Sequence, residues 1–311
     1  ILAQHRLNNT KCHWGRVFAL CVEKGSELPE GNPERKFKGC AVFQGNNAWT
    51  QHWAWAIFAE LGSNPATMQA TKVCDLYGLL PGHSTQQADA RQAYTQTVLG
   101  GVETWVEIPK EQLPKEWLEA GYKRPVCRLF RALYGHPDSG GYWEQHCNAN
   151  LGEAGYRELT KEDWRSVFWH AELRLLLTVY VDDFKLSGPT ENLARGWRLI
   201  EARIAMDPPT PTGKFLGCDH RPGEALLRET GAHVRTMEYD MRSFFQSCVE
   251  LFQQLTDGRY VLRRVPTPFL TDPKEDEFEI QPVELSSPPD FLADYALPQG
   301  EAALACDNAD F

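Results

Sequence analysis

Two short apolar runs near the start of the chain predict a β-hairpin. The runs GRVFALCVEKG and FKGCAVFQG are separated by SELPEGNPER, a stretch rich in proline, glycine and charge. Apolar runs bounded by such turn-forming residues are typical of paired strands. We therefore expect two strands joined by a long loop at the front of the chain.

Helix-compatible spacing of apolar residues follows this hairpin in two neighbouring segments. These are TQHWAWAIFAELGS and NPATMQATKVCDLYGLLPG. In the second, Pro65 directly follows Asn64, which suits Asn64 as the N-cap and Pro65 as the first helical residue. The pattern therefore predicts a helix starting at Pro65.

The rest of the chain mixes strand and helix patterns. Strands, one of them followed by a short helix or turn, are predicted in HSTQQADARQAYTQTVLG, VETWVEIP, KRPVCRLFRALYG, WRSVFWH, LRLLLTVYV and FKLSG, and a further hairpin in KFLGCDHR and ALLRET. Helices are predicted in SGGYWEQHCNANLGEAGY, in EYDMRSFFQSCVELFQQL and in PTENLARGWRLIEARIA, whose apolar stripe is Leu193, Trp197, Ile200 and Ile204. WRSVFWH and LRLLLTVYV are expected to pair antiparallel. This mixture predicts an α+β fold, with a sheet backed by helices on one face.

One stretch, LRLLLTVYVDDFKLSG, places Asp182 and Asp183 between two apolar runs. Burying charge is costly unless something pairs with it, so either the two residues form a solvated turn or a cation binds there. Aspartate is a favoured turn residue, and the dipeptide alone favours the solvated turn. With a third carboxylate from another strand, however, the pair would offer the oxygen ligands that Mg²⁺ prefers.

Composition adds limits to this picture. The chain has 311 residues, of which 42% are hydrophobic, enough for a substantial core. The formal net charge is −10, but residues 272–311 carry 11 acidic residues and one basic residue, so the remainder is neutral overall and could hold a basic groove. Nine cysteines lack zinc spacing and are interpreted as buried free thiols in a reducing compartment. With no signal segment and no apolar run of membrane-spanning length, the chain is interpreted as a soluble intracellular piece of a longer protein.

Six segments resemble, in order, the reverse transcriptase domain of copia-type LTR retrotransposon polyproteins, over about residues 12–270. YVDDFKLSG resembles the family's Tyr-x-Asp-Asp box, and QQADARQAYTQTVL resembles its first polymerase motif, an aspartate followed five residues later by an aromatic. The other segments are RKFKGCAVFQG, VCRLFRALYGHPDSGGYWE, KFLGC and RRVPTPFL. The resemblance implies an RNA-directed DNA polymerase that uses two Mg²⁺ or Mn²⁺ ions.

The resemblance also assigns roles to individual residues. Asp89 and Asp182 match the two aspartates that hold both metals, and Asp183 matches the third, more peripheral carboxylate. Tyr94 matches the aromatic that excludes a 2′-hydroxyl from the incoming nucleotide. Tyr180 and Val181 match the hairpin residues that lie beside the primer end.

Three positions depart from the family pattern. Cys40 stands where an arginine usually clamps the triphosphate, Gln44 where a basic residue is common, and Asp138 where a glutamine contacts the nucleotide. The basic residues that could compensate are Arg35, Lys36, Lys38, Arg128 and Arg131. Lys36, Lys38, Arg128 and Arg131 are also candidates for the template–primer groove. Without compensation, nucleotide affinity falls, because a lost charge-assisted phosphate contact costs about 1.5–3 kcal/mol.

The implied fold is the right-hand polymerase. Residues 1–80 would form the N-terminal fingers, residues 81–230 a palm with a fingers insertion near 105–140, and residues 231–270 a thumb or connection helix. Residues 271–311 are expected to be an acidic disordered tail.

The resemblance also implies partners and a location. The implied partners are an RNA template, a DNA primer and deoxynucleoside triphosphates, with no membrane. Protease, integrase and ribonuclease H segments are expected outside this fragment. The family's location is a cytoplasmic particle or the nucleus.

Two other interpretations stay open. The chain could be a catalytically decayed or repurposed relative that still binds nucleic acid, which Cys40 and Asp138 favour. It could also be an unrelated α+β protein with a solvated Asp-Asp turn, for which the ordered motifs would be coincidental. The ten tryptophans are interpreted mainly as core residues rather than as base-stacking platforms.

Overall fold

The computed structural model describes residues 1–25, 31–33, 35–59, 62–160, 164–228, 230–260 and 262. The chain divides into two compact units, the first covering Ile1–Met241 and the second beginning at Arg242. The first unit combines three β-sheets with five helices in its described part. This confirms the predicted α+β class, while the right-hand polymerase arrangement and its division into fingers, palm and thumb remain predictions.

Single helices separate runs of one to four strands along the described chain. The helices are α1 (Leu2–Leu7), α2 (Met68–Gly78), α3 (Lys115–Glu119), α4 (Ser139–Glu153), α5 (Thr190–Glu201) and α6 (Arg242–Leu255). The strands are β1 (Cys12–Lys24), β2 (Lys36–Phe43), β3 (Trp49–Thr50), β4 (His83–Asp89), β5 (Glu103–Glu107), β6 (Val126–Arg128), β7 (Arg157–Glu158), β8 (Val167–His170), β9 (Leu175–Tyr180), β10 (Asp183–Pro189), β11 (Thr210–Pro211), β12 (Lys214–Phe215), β13 (Cys218–Leu226) and β14 (His233–Asp240).

The largest sheet is antiparallel and has six strands in the order β11-β4-β10-β9-β8-β7. Its two central strands, β9 and β10, are buried along nearly their whole length. Burial on both faces explains the apolar run LLLTVY in β9. In β10, apolar Phe184 and Leu186 alternate with Lys185 and Ser187, which are also buried. The predicted antiparallel pairing of the strands that contain VFWH and LLLTVY is confirmed.

Helices cover both faces of this sheet, which corrects the expectation of helices on one face only. On one face, α4 and α5 bury their apolar stripes against the sheet, in a core that includes Trp143, Leu151, Phe184 and Trp197. On the opposite face, α2 packs against β4, β9 and β10. The reason is the strand sequence itself, because a strand that is apolar on both faces needs cover on both.

A second sheet contains the predicted front hairpin. Strands β1 and β2 pair antiparallel, as expected. The strand order of the sheet is β2-β1-β5-β6, and β3 pairs with the N-terminal residues His13 and Trp14 of β1. One face of this sheet contributes to a small core that contains Phe43, Ala48 and Val106. The third sheet has the order β12-β13-β14.

A buried ion pair joins α2, β10 and the third sheet. The Lys185 ammonium group donates to both carboxylate oxygens of Asp75, at 3.0 and 3.1 Å, and lies 2.9 Å from Nδ1 of His220. The Tyr239 hydroxyl donates to Asp75 at 3.1 Å. Lys185 also lies over the Phe215 ring, 4.1 Å from its centroid. Lys185 and Asp75 are both fully buried, so the cluster fixes how three elements meet.

Two predicted helices near the front of the chain differ from the structure. TQHWAWAIFAELGS forms no helix in its described residues; instead Trp55 bridges back to Trp49 and their rings stack, with centroids 4.2 Å apart. Helix α2 starts at Met68, because the Thr67 hydroxyl accepts the Ala70 N–H and serves as the N-cap in place of Asn64. In the first segment, Trp55 stacks on Trp49 rather than contributing to one face of a helix. In the second, the helix is present but begins three residues later than predicted.

The predicted hairpin and helix beyond residue 217 are also shifted. Strand β13 continues through Leu226, so part of ALLRET belongs to the first strand, and the returning strand is β14. Helix α6 begins at Arg242, because the first residues of EYDMRSFFQSCVELFQQL complete β14. These strands protrude into solvent over Arg221–Leu226, where the burial alternation that locates a strand is absent.

The second unit is described only at its start. Helix α6 and the residues up to 260, with 262, are the part that the structure describes. The predicted acidic tail, 271–311, and the RRVPTPFL segment lie outside the described residues. None of the described helices is both long and apolar enough to cross a membrane. The eight cysteines within the described ranges are free thiols, as predicted, but of these only Cys12, Cys74, Cys147 and Cys218 are buried, so the prediction that they are buried is wrong for the other four.

Candidate metal and nucleotide site

The Asp182–Asp183 pair lies at the tight turn between β9 and β10. Tyr180 and Asp183 are directly opposite each other, so Val181 and Asp182 form a two-residue connection. Val181 has a φ of 56°, a conformation that is unfavourable for a β-branched residue. The turn is held from α4, because the Trp143 indole N–H donates to the Val181 carbonyl at 2.7 Å. A strained but anchored backbone therefore presents the two aspartates.

The neighbouring strand brings the third predicted carboxylate to the same place. Asp89, the last residue of β4, is directly opposite Asp183 in the antiparallel pair. Directly opposite residues point to the same face of a sheet. The exit of β4 is tied to the turn, since the Ala90 N–H donates to the Asp182 carbonyl at 2.7 Å. Pairing across 94 residues of sequence thus brings together the three predicted aspartates at one edge of the sheet.

The electrostatics of this edge oppose a full set of negative charges. Burial of the Asp182 carboxyl group raises its pKa, and the negative charge of Asp89 adds to this effect. A backbone hydrogen bond and the charges of Lys38 and Lys24 act in the opposite direction. Like charges directly opposite each other in an antiparallel pair are destabilising. A cation at this edge would relieve both the burial and the repulsion.

The carboxylate oxygens of the three aspartates are ligands of the kind that hard divalent cations prefer. In the described ranges, however, no group of three or more His, Cys, Asp or Glu side chains is placed so that it could hold a metal ion. Mg²⁺ usually binds through one or two carboxylates together with water and substrate phosphates, rather than in an all-protein cage. A metal ion at Asp89, Asp182 and Asp183 would need further ligands of that kind, and the predicted metal site therefore remains a prediction.

The β1–β2 hairpin presents a row of lysines on one of its faces. Lys24 is directly opposite Lys36, and Lys38 follows two residues later on the same face of β2. Lys24 and Lys38 are close enough to Asp182 for their charges to lower its pKa. Cys40 continues the same face and is half-buried. The hairpin therefore places positive charge near the aspartates, although its fourth position holds a thiol.

Two tyrosines lie beside the turn. Tyr94, in the short 3₁₀ segment Ala93–Gln96, is almost fully buried, and its ring centroid is 4.5 Å from that of Tyr134. Burial raises the pKa of both hydroxyl groups, and the charge of Asp182 adds to the shift in each case. Tyr94 therefore lies near Asp182, and its predicted role beside the sugar of the nucleotide remains a prediction.

A glycine allows the Tyr134 loop to lie against β2. The Phe43 N–H donates to the Tyr134 carbonyl at 2.7 Å. Gly135 has a φ of 82°, and a β-carbon there would collide with the Phe43 carbonyl oxygen. This close contact joins the lysine hairpin to the loop that carries Tyr134.

The substituted and basic positions have different surroundings. Burial lowers the pKa of His13 and of His136, the latter to about 4. Asp138 is itself buried, and its negative charge opposes this shift in both histidines. Arg35 pairs with Glu23 at 2.9 Å, Arg128 with Glu103 at 3.0 Å, and Arg131 donates to the Gln96 carbonyl at 2.8 Å. Among the proposed compensating residues, Lys36 and Lys38 therefore share the face that approaches Asp182.

Three residues of the site were missed in the sequence. Lys24 lies on the lysine face because the hairpin register places it opposite Lys36. That register could have been proposed from the sequences of the two strands. Tyr134 was noted as part of a motif but not as a site residue. Trp143, which anchors the turn, carries no local sequence signal for that role because its acceptor is 38 residues away.

Comparison with known proteins gives no relative for this chain: no family model matches it, and no curated protein matches it.

Proposed function

We propose that the chain is an RNA-directed DNA polymerase, the reverse transcriptase domain of a copia-type retrotransposon. The observation that carries the proposal is the pairing of Asp89 with Asp183 beside the Asp182 turn. This pairing concentrates carboxylates at one sheet edge, where they repel each other unless a cation binds. The six ordered motif resemblances supply the reaction class.

The residues divide the work of nucleotidyl transfer among them. Asp89 and Asp182 hold the cations, with Asp183 at the periphery. When bound, Mg²⁺ or Mn²⁺ activates the primer 3′-hydroxyl and stabilises the leaving pyrophosphate. The hydroxyl oxygen attacks the α-phosphorus in line, a new P–O bond forms, and the bond to the β-phosphate oxygen breaks.

Positioning of the incoming nucleotide falls to the hairpin and the tyrosines. The ammonium groups of Lys24, Lys36 and Lys38 attract the triphosphate, a role in which lysine acts as a point charge. Tyr94 closes the space beside the sugar, which favours a deoxynucleotide. Tyr180 and Val181 lie at the turn, where the primer end must reach the aspartates. An RNA template and a DNA primer are the polymeric partners of this reaction.

Primer extension tests the proposal. With an RNA template, a DNA primer, deoxynucleoside triphosphates and Mg²⁺, the full chain should extend the primer, and Asp182→Asn should abolish extension. Glu172→Gln is the matched control, because Glu172 lies in the turn before β9, at the opposite end of that strand. Loss of extension in both variants, or extension that survives Asp182→Asn, would contradict the assigned roles.

A second candidate function is nucleic-acid binding by a catalytically decayed relative. Cys40 favours it, since a half-buried thiol cannot replace the guanidinium that the family pattern places there. This candidate predicts template–primer binding without extension under Mg²⁺ or Mn²⁺. Restoring the charge with Cys40→Arg distinguishes the two: a weakly active polymerase should extend faster, whereas a decayed protein should remain inactive.

A further inference from the structure

Three tryptophans form a row across the second sheet. Trp14 of β1 is directly opposite Trp49 of β3 on one side and Trp105 of β5 on the other. Residues in register on adjacent strands share a face of the sheet. Adjacent strands are roughly 4.8 Å apart, so the row spans three strands within about 10 Å. We call these three residues the tryptophan row.

Two further tryptophans flank the row and are exposed to solvent. Trp53 makes an edge-to-face contact with Trp14 at a centroid distance of 5.5 Å, and Trp55 stacks on Trp49 at 4.2 Å. Trp53 is 54% exposed and Trp55 is 60% exposed. The expectation that the tryptophans are mainly core residues is therefore wrong for this group.

Arginines surround the row. The Arg124 guanidinium lies over the Trp14 ring at 5.9 Å, Arg128 is directly opposite Trp105, and Arg16 lies two residues beyond Trp14 on the same face. Glu107 pairs with Arg124 and Arg16, and Glu103 pairs with Arg128. Three guanidinium groups face two carboxylates, so the rim keeps a small positive excess.

The rings and arginines line an open hollow. A cavity of about 350 Å³ on this face is lined by Trp14, Trp53, Trp105, Arg124, Glu107 and Val126, together with Ile1, Leu2 and Ala3. Its walls combine indole rings with aliphatic side chains, and Arg124 and Glu107 contribute one charge of each sign. The cavity lies on the face opposite to the small core of the second sheet, since Val106 of that core alternates with Trp105 along β5.

We propose that this face binds single-stranded nucleic acid by stacking bases on the tryptophan rings. Flat aromatic side chains on a sheet face are used elsewhere to stack two or three bases. Every base has a π-face, so such a platform tolerates many sequences. Arginine adds cation–π contacts and pairs with phosphate.

The charge of the rim favours nucleic acid over a proline-rich peptide. Aromatic grooves also bind polyproline helices, but that mode needs no excess of arginine. Here the guanidinium groups lie beside the rings. If bases stack on the rings, the phosphates of the same strand would lie near these guanidinium groups. Because the positive excess is small, stacking rather than charge provides most of the affinity.

Binding can be measured apart from catalysis. The full chain carrying Asp182→Asn, in EDTA, is titrated against dye-labelled 12-nucleotide single strands of RNA and of DNA, with fluorescence anisotropy as the readout. Trp53→Ala and Trp55→Ala should each weaken binding between about fivefold and about 100-fold. Both side chains are exposed, so both variants should remain folded, which circular dichroism verifies.

Controls separate stacking from other effects. Tyr122→Ala removes an exposed ring that contacts Trp117, which is not one of the tryptophans of the row, and should change affinity less than twofold. With three arginines at most, the slope of log affinity against log salt should be no steeper than about −2. Equal affinity for RNA and DNA strands, or a preference for either, is compatible with the proposal, since both stack.

Three results would overturn it: duplex bound as tightly as single strand, less than twofold loss in both tryptophan variants, or binding of a proline-rich 12-residue peptide in place of nucleic acid. Because the assay needs no metal and no extension, failure of the polymerase proposal leaves this outcome unaffected.

Discussion

Removing the buried cation Lys185 should destabilise the protein more than any exposed charge change. Lys185→Met leaves the fully buried Asp75 carboxylate without its ammonium partner. Removing one member of a buried ion pair costs roughly 3–5 kcal/mol, because the remaining charge is buried and uncompensated. For a unit of this size, each kcal/mol shifts the melting temperature by about 2–4 °C, so a decrease of roughly 6–20 °C is expected.

The pH dependence of the defect identifies its cause. In the folded protein, burial acts to raise the pKa of Asp75, but the hydrogen bond from His220 and the charge of Lys185 lower it overall. A lowered carboxyl pKa contributes stability above the unfolded pKa and loses it as pH falls. In Lys185→Met the carboxylate loses this support, so it can be neutralised by a proton at mildly acidic pH. The stability deficit should therefore be largest near pH 7 and shrink on acidification.

Urea unfolding of single and double variants provides the assay. Lys185→Met with Asp75→Asn removes both charges but keeps an acceptor for the Tyr239 hydroxyl, and should recover at least about half of the loss. Arg195→Met is the control, since its exposed pair with Glu172 should contribute less than about 1 kcal/mol. A Lys185→Met loss below about 1 kcal/mol, or a double variant no better than the single one, would refute the argument.

Three further predictions concern caps, packing and protons. Thr67→Ala should lower the free energy of unfolding by about 1 kcal/mol, measured by urea titration, because it removes the N-cap of α2. In helices, Gly196→Ala should cost roughly 1–3 kcal/mol, since its β-carbon would meet Leu175 and the Tyr156 hydroxyl, whereas Gly152→Ala, with open space around it, should gain up to about 1 kcal/mol. Burial raises the pKa of Asp182, so this carboxyl group takes up a proton at a higher pH than an ordinary carboxylate does. Mg²⁺ affinity, measured by calorimetry, should therefore begin to fall at that higher pH as the solution is acidified. An affinity that is unchanged down to pH 4 would contradict this.

Sequence pattern was sufficient where burial was strong and periodic. Strand β9 follows from an apolar run, and helix α5 follows from a stripe whose residues, Leu193, Trp197 and Ile200, are all buried. Pattern failed where apolar residues serve other purposes. In TQHWAWAIFAELGS the spacing of a helix is produced by tryptophans that stack on one another and face solvent.

The candidate site could be proposed from motifs, but its surroundings could not. Strand pairing places Asp89 opposite Asp183 next to the Asp182 turn, while the roles assigned to these residues and to Tyr94 remain predictions. The lysine that supports Asp182 from β1 depends on register, and the partner of Lys185 lies 110 residues away along the chain. Long-range pairing of this kind has no local pattern, because each partner alone resembles an ordinary surface charge.

The aspartates lie at the end of central strands, and the free energy that their arrangement costs gives a physical reason for this position. Opposed carboxylates and a valine at positive φ each destabilise the folded state, the latter by about 1–3 kcal/mol. The strands that carry them bury side chains such as Leu177 and Phe184 completely, and each such side chain contributes about 1.5–3 kcal/mol. The indole of Trp143 then fixes the turn from the core side. A strained, charge-dense turn can persist here because the surrounding sheet offsets its cost, and the same turn on an edge strand would lack that support.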